Sequence, residues 1–88
     1  MPLISTFFGI IVTINFFDHA PPHIHAQHGG LKALYDIRTG ALIAGGLSRR
    51  ETRYVVQWIE QHRDELMQNW DLAVSGQPTF KIEGLADD

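Results

Sequence analysis

The pair Gly29-Gly30 stands between two short runs of alternating character, His23–His28 and Leu31–Arg38. The tightest hairpin loops have two residues and need positive φ, which glycine adopts without steric cost. Taking the two glycines as such a loop fixes the register of both strands. His28 then faces Leu31, Ala26 faces Ala33 and Ile24 faces Tyr35, all on one apolar face. On the other face Gln27 meets Lys32, His25 meets Leu34 and His23 meets Asp36. Thr39-Gly40 reads as the next loop, before a fourth strand over Ala41–Ala44. That loop sets Ile37 against Leu42 and Tyr35 against Ala44, again on the apolar face. Both hairpins select the same buried side, and a slip of one residue would invert it.

Upstream, Gly9–Phe17 places Ile10, Val12, Ile14 and Phe16 on one face, with Thr13 and Asn15 on the other. Such a half-buried strand rich in β-branched residues fits the start of the sheet. Asp18–Pro22 breaks the pattern, because two prolines cannot sit in a paired central strand. Gly45-Gly46 ends the sheet. Ser48, three residues before Glu51, forms a capping box for a following helix. The helical seam runs through Val55, Trp58, Ile59, His62, Leu66, Trp70 and Ala73. Its spacing suits one long helix, or two broken near His62. Gly76 and Pro78 stop it, Thr79–Leu85 returns as an extended segment, and Ala86–Asp88 frays. The expected fold class is α+β: a three- to four-stranded antiparallel β-meander, packed on one face by a C-terminal helix or pair of helices. Eighty-eight residues suffice for one core. The chain therefore reads as a single domain over 1–88, with the meander in 1–46, helices in 47–76 and a tail in 77–88.

A net charge of −3 gives no general reason to bind nucleic acid or anionic membrane. The absence of cysteine excludes disulfides and thiolate zinc sites, and it fits a reducing cytosol. Ile10–Phe17 is apolar, but it lacks the basic flank and cleavage site of a signal peptide. No apolar run approaches the ~20 residues of a membrane span. These features point to a cytoplasmic protein.

The pointed chemistry lies in four histidines, His19, His23, His25 and His28, grouped around Pro21-Pro22. His23 and His25 alternate with Ile24, so both project from one strand face and can share a divalent metal such as zinc. His19 or Asp18, held at the proline corner, is the candidate third ligand. Asp36, opposite His23, is a candidate ligand or orienter of the imidazole. The same set, His23, His25 and Asp36, suits acid–base catalysis, since a histidine beside a carboxylate has a favoured tautomer. The simpler alternative is a set of structural histidines packed on a polar sheet face. The spacing His-x-His-x-x-His differs from the His-x-His-x-His strands of histidine-triad hydrolases and turns His28 to the opposite face.

Arg49, Arg50 and Arg53 crowd the first turns of the helix, where the partial positive charge of its N-terminus favours acids. They are candidate anion-binding residues, for phosphate, RNA or an acidic partner. The alternative is a solvated face with Glu51 as a counter-charge.

The run Asp18-His19-Ala20-Pro21-Pro22-His23-Ile24-His25, with Phe7–Gly9, Lys32-Ala33, Tyr35–Ile37 and the later stretch from Trp58 through His62-Arg63-Asp64-Glu65-Leu66 to Asn69-Trp70, resembles the bacterial domain-of-unknown-function family 4160. The resemblance spans Pro2 to about Leu85. It implies a small bacterial protein, encoded beside a second small protein with which it has been proposed to form a toxin–antitoxin module. The family motif falls on Asp18, His19, Pro21, Pro22, His23 and His25. The resulting expectation is an interaction module, the toxin-like or partner-binding component of a two-protein system, with a small cognate protein as partner and RNA as a further target. The alternative expectation is a histidine-dependent, metal-assisted phosphodiester hydrolase acting on RNA, with the arginines holding phosphate. That enzyme requires the arginines to converge on the histidine face.

Overall fold

A computed structural model describes residues 2–85. Five strands form one antiparallel meander in sequence order: β1 (Leu3–Phe7), β2 (Ile10–Thr13), β3 (His23–His28), β4 (Leu31–Asp36) and β5 (Leu42–Gly45). Two helices follow, α1 (Arg49–Gln61) and α2 (Arg63–Val74). The fold is α+β as expected, with one strand more at the N-terminus.

The central hairpin has the register that Gly29-Gly30 dictates, from His28↔Leu31 through Ile24↔Tyr35 to His23↔Asp36. Both loop glycines have positive φ, 56° and 83°. Ile10, Val12, Ile24, Ala26, Ala33 and Tyr35 form the buried sheet face. The helical seam packs on it through Val55, Trp58, Ile59, Leu66, Trp70 and Ala73. Phe7 and Trp58 meet with ring centroids 5.1 Å apart, and the Tyr35 and Thr52 hydroxyls lie 2.9 Å apart. The helix breaks at His62, which has φ −122° and ends the first ladder. Arg63 Nε then donates to Ile37 O at 3.0 Å, tying the start of α2 to the end of β4.

β1 has no counterpart in the sequence reading. Its connection to β2 is a two-residue loop, Phe8-Gly9, with φ of 50° and 75°. A phenylalanine in the left-handed region is sterically disfavoured, so turn chemistry does not advertise this hairpin. The Phe8 ring stacks on Tyr54 with centroids 4.5 Å apart, and that contact offsets the strain.

Two expectations about burial are corrected. Phe16 is 44% exposed, not in the core. The strand ends at Thr13, and Phe17, at φ 56°, turns the chain outward while its N–H bonds to Ala73 O. The β4–β5 loop is also longer than Thr39-Gly40. Asp36 Oδ1 accepts from the Arg38 and Thr39 amides, and Asp36 N donates to Ala41 O. Together with an irregularity between Leu34 and Tyr35, this pairs Tyr35 with Leu42 and Leu34 with Ala44. Ile37 does not pair with Leu42, and β5 emerges exposed along its whole length.

The tail after α2 has no regular secondary structure and is held by backbone and side-chain hydrogen bonds. Ile82 N donates to Ile4 O, Trp58 Nε1 donates to Glu83 O, and Asn69 makes a two-way amide pair with the Phe80 backbone. Ile82 and Leu85 complete the core. The expected fraying of Ala86–Asp88 lies outside the described residues.

Candidate functional site

The link between β2 and β3 folds Asp18 back over the start of β3. Asp18 Oδ1 accepts the His19 amide at 2.8 Å, which turns Oδ2 towards the strand. Asp18 Oδ2 lies 3.0 Å from His23 Nε2 and 3.6 Å from His25 Nε2. Among the described residues these three form the one group of histidine and acidic side chains close enough to share a metal ion. Asp18 is thus the third member that the sequence offered as an alternative to His19.

Each imidazole is held by a further contact. His23 Nδ1 lies 2.7 Å from Pro21 O, and a carbonyl can only accept, so this nitrogen carries the proton. The ring packs against Trp70, with centroids 5.1 Å apart, and only 7% of the residue is exposed. His23 is therefore buried although it lies on the polar face of the sheet, because Trp70 of α2 covers it. His25 Nε2 lies 3.2 Å from Asn15 Nδ2, and the residue is half-buried. Beside it a small pocket is lined by Thr13, His25, Gln27, Lys32 and Leu34. Desolvation pushes the Asp18 carboxyl up. The His19 amide, the attraction of His23 and hydrogen bonds from His25 and His23 outweigh it and hold the carboxyl below its ordinary value.

Three candidates stand elsewhere. Asp36 is the cross-strand partner of His23, as the register requires, but its carboxylate does not orient the imidazole. It is spent on the Arg38 and Thr39 amides, because the five-residue loop needs a cap there. His19 is exposed and outside the cluster. His28 points to the helix side, with Nδ1 3.8 Å from Glu51 Oε1.

The last contact also locates the arginines. It places the first turn of α1 at the His28 end of β3, and five residues at about 3.3 Å each separate that end from His23. Arg49, Arg50 and Arg53 are exposed there, with Arg50 Nε 3.1 Å from Glu51 Oε2. The fold does not bring them to the histidines. Trp70, Asn15 and the Pro21 carbonyl line the site instead. Trp70 is legible from sequence only as core, and Asn15 only as a polar-face residue.

A five-stranded meander backed by two helices, carrying an Asp/His/His cluster at one corner, defines an α+β fold. Residues 9–71 match the model of the family described as Domain of unknown function (DUF4160), and the chain belongs to that family. No curated protein and no solved structure matches it. No helix among the described residues is long and apolar enough to cross a membrane.

Proposed function

We propose that this chain is the partner-binding component of a two-protein bacterial system, acting in the cytoplasm and docking an extended segment of a small cognate protein along β5. The observation that carries the reading is the contrast between the two edges of the sheet. At the β1 edge the chain's own tail supplies the Ile82–Ile4 hydrogen bond. At the β5 edge Leu42 and Ile43 are 52% and 44% exposed, and the strand has neither proline nor charge to discourage pairing. An unguarded, apolar edge accepts a partner strand through main-chain hydrogen bonds. The exposed Arg49, Arg50 and Arg53 begin four residues beyond β5 and suit acidic residues flanking that strand.

The test is co-purification with the product of the neighbouring gene, followed by titration. Leu42→Glu and Ile43→Glu replace exposed side chains, so they should leave the fold intact and weaken the complex at least about tenfold, the equivalent of ~1.4 kcal/mol. Arg49→Glu should slow association and reduce its salt dependence. A monomer that ignores the neighbouring product across a concentration series would sink the proposal, as would edge variants that bind like the parent. Concentration-dependent self-association abolished by Ile43→Glu would assign the edge to a second copy instead.

A further inference from the structure

We infer that Asp18, His23 and His25 form a binding site for one first-row divalent cation, with zinc as the expected occupant, held by Asp18 Oδ2 and the Nε2 atoms of both imidazoles. The inference is independent of the β5 docking reading. It rests first on which atoms face one another. The Pro21 carbonyl 2.7 Å from His23 Nδ1 fixes the proton on that nitrogen. His23 Nε2 then faces Asp18 Oδ2 at 3.0 Å, so both atoms are turned towards the same point. His25 Nε2 stands 3.6 Å from the same oxygen and 3.2 Å from the Asn15 amide nitrogen. The three atoms lie within 4.8 Å of one another, and each can be a metal ligand. A metal ion satisfies all three at once, whereas one proton satisfies only a pair.

The dimensions fit. Tetrahedral zinc bonds of about 2.0–2.1 Å put neighbouring ligand atoms roughly 3.3 Å apart, between the two Asp18 separations. Two imidazoles and one carboxylate are a donor set that zinc and neighbouring first-row metals accept. The carbonyl on His23 Nδ1 is the outer contact that metal-bound histidines usually have. The site is also accessible: the Asp18 and His25 side chains retain 21% and 24% exposure, leaving a fourth position for water.

The experiment uses the full chain without a polyhistidine tag, stripped by chelator and titrated with zinc by calorimetry and with cobalt by visible absorption. The expected result is one ion per chain and a cobalt spectrum of a four-coordinate nitrogen–oxygen site. Asp18→Asn and His25→Gln should each weaken binding by about tenfold or more, with circular dichroism unchanged. His19→Gln and His28→Gln should bind like the parent. If Asp18→Asn fails to fold, ring resonances of the parent decide: zinc should shift those of His23 and His25 together and leave His19 and His28 in place. The inference is overturned if the folded parent takes up no zinc. It is equally overturned if zinc binding survives His25→Gln or follows His19 or His28.

Discussion

At the scale of single residues, Glu51 shows how one side chain serves several neighbours. Its amide donates to Ser48 Oγ at 3.3 Å, and its carboxylate accepts from the Ser48 hydroxyl and from Arg50 Nε. The capping box legible in the sequence is present, but its return arm reaches the hydroxyl of Ser48. Hydrogen bonds from Ser48 and then Arg50 lower the Glu51 carboxyl below its ordinary value of 4.5; burial opposes this, and His28 adds a smaller attraction. A lowered carboxyl stabilises the fold fully above that ordinary value, and the contribution disappears as pH falls through the lowered one. Stability measured in denaturant from neutral to acid pH should therefore fall below 4.5, and Glu51→Gln should flatten that fall. Identical acid profiles for parent and variant would show that the carboxylate contributes nothing as an anion. Ser48→Ala removes the cap itself and should cost about 1 kcal/mol at neutral pH.

At the scale of elements, two glycines of positive φ differ in how much an added side chain costs. Gly29 has φ +56° and open space around it, so Gly29→Ala meets only the left-handed backbone cost, about 1–2 kcal/mol. Gly45 has φ +69°, and an added Cβ would lie 2.2 Å from Lys32 O. The backbone must approach closely there because Gly46 N donates to that same carbonyl, closing the end of the β4–β5 ladder. Gly45→Ala should thus lower stability by more than Gly29→Ala, and urea midpoints of the two variants give the comparison. Equal midpoints would mean that the end of β5 moves away without cost. Such a result would also recast the β5 edge as loosely attached.

At the scale of the whole molecule, the tail locks helices and sheet into one unit. Asn69 is fully buried, and its amide holds both the N–H and the C=O of Phe80, each at 2.9 Å. Trp58, also fully buried, donates to Glu83 O at 2.7 Å. Asn69→Ala leaves two backbone groups of Phe80 without their partner and should cost roughly 2 kcal/mol or more. That is a large share of what so small a domain has. The measurement is a chemical-denaturation curve together with amide exchange across residues 80–83. Loss of protection there with an unchanged midpoint would mean that the tail docks without stabilising the rest.

The sequence by itself determined the elements whose instructions are local. A two-glycine loop and period-two alternation set the β3–β4 register, a serine three residues before a glutamate set the start of α1, and the spacing of Val55 through Ala73 set the buried helical face. These signals are short-ranged because turns, caps and amphipathic faces depend on neighbours along the chain. Only the tertiary structure decided the rest. The Phe8-Gly9 hairpin needs the Tyr54 ring, which lies across the fold. Asp36 was drawn from His23 into its own loop, while Asp18, five residues before His23, took that place by folding back across the proline corner. The arginines and histidines, each a plausible half of one site, stand near opposite ends of β3. A cross-strand register fixes which residues sit opposite one another. Which carboxylate reaches which imidazole depends on loop backbone groups competing for the same oxygens, and that competition is settled only when the chain has folded.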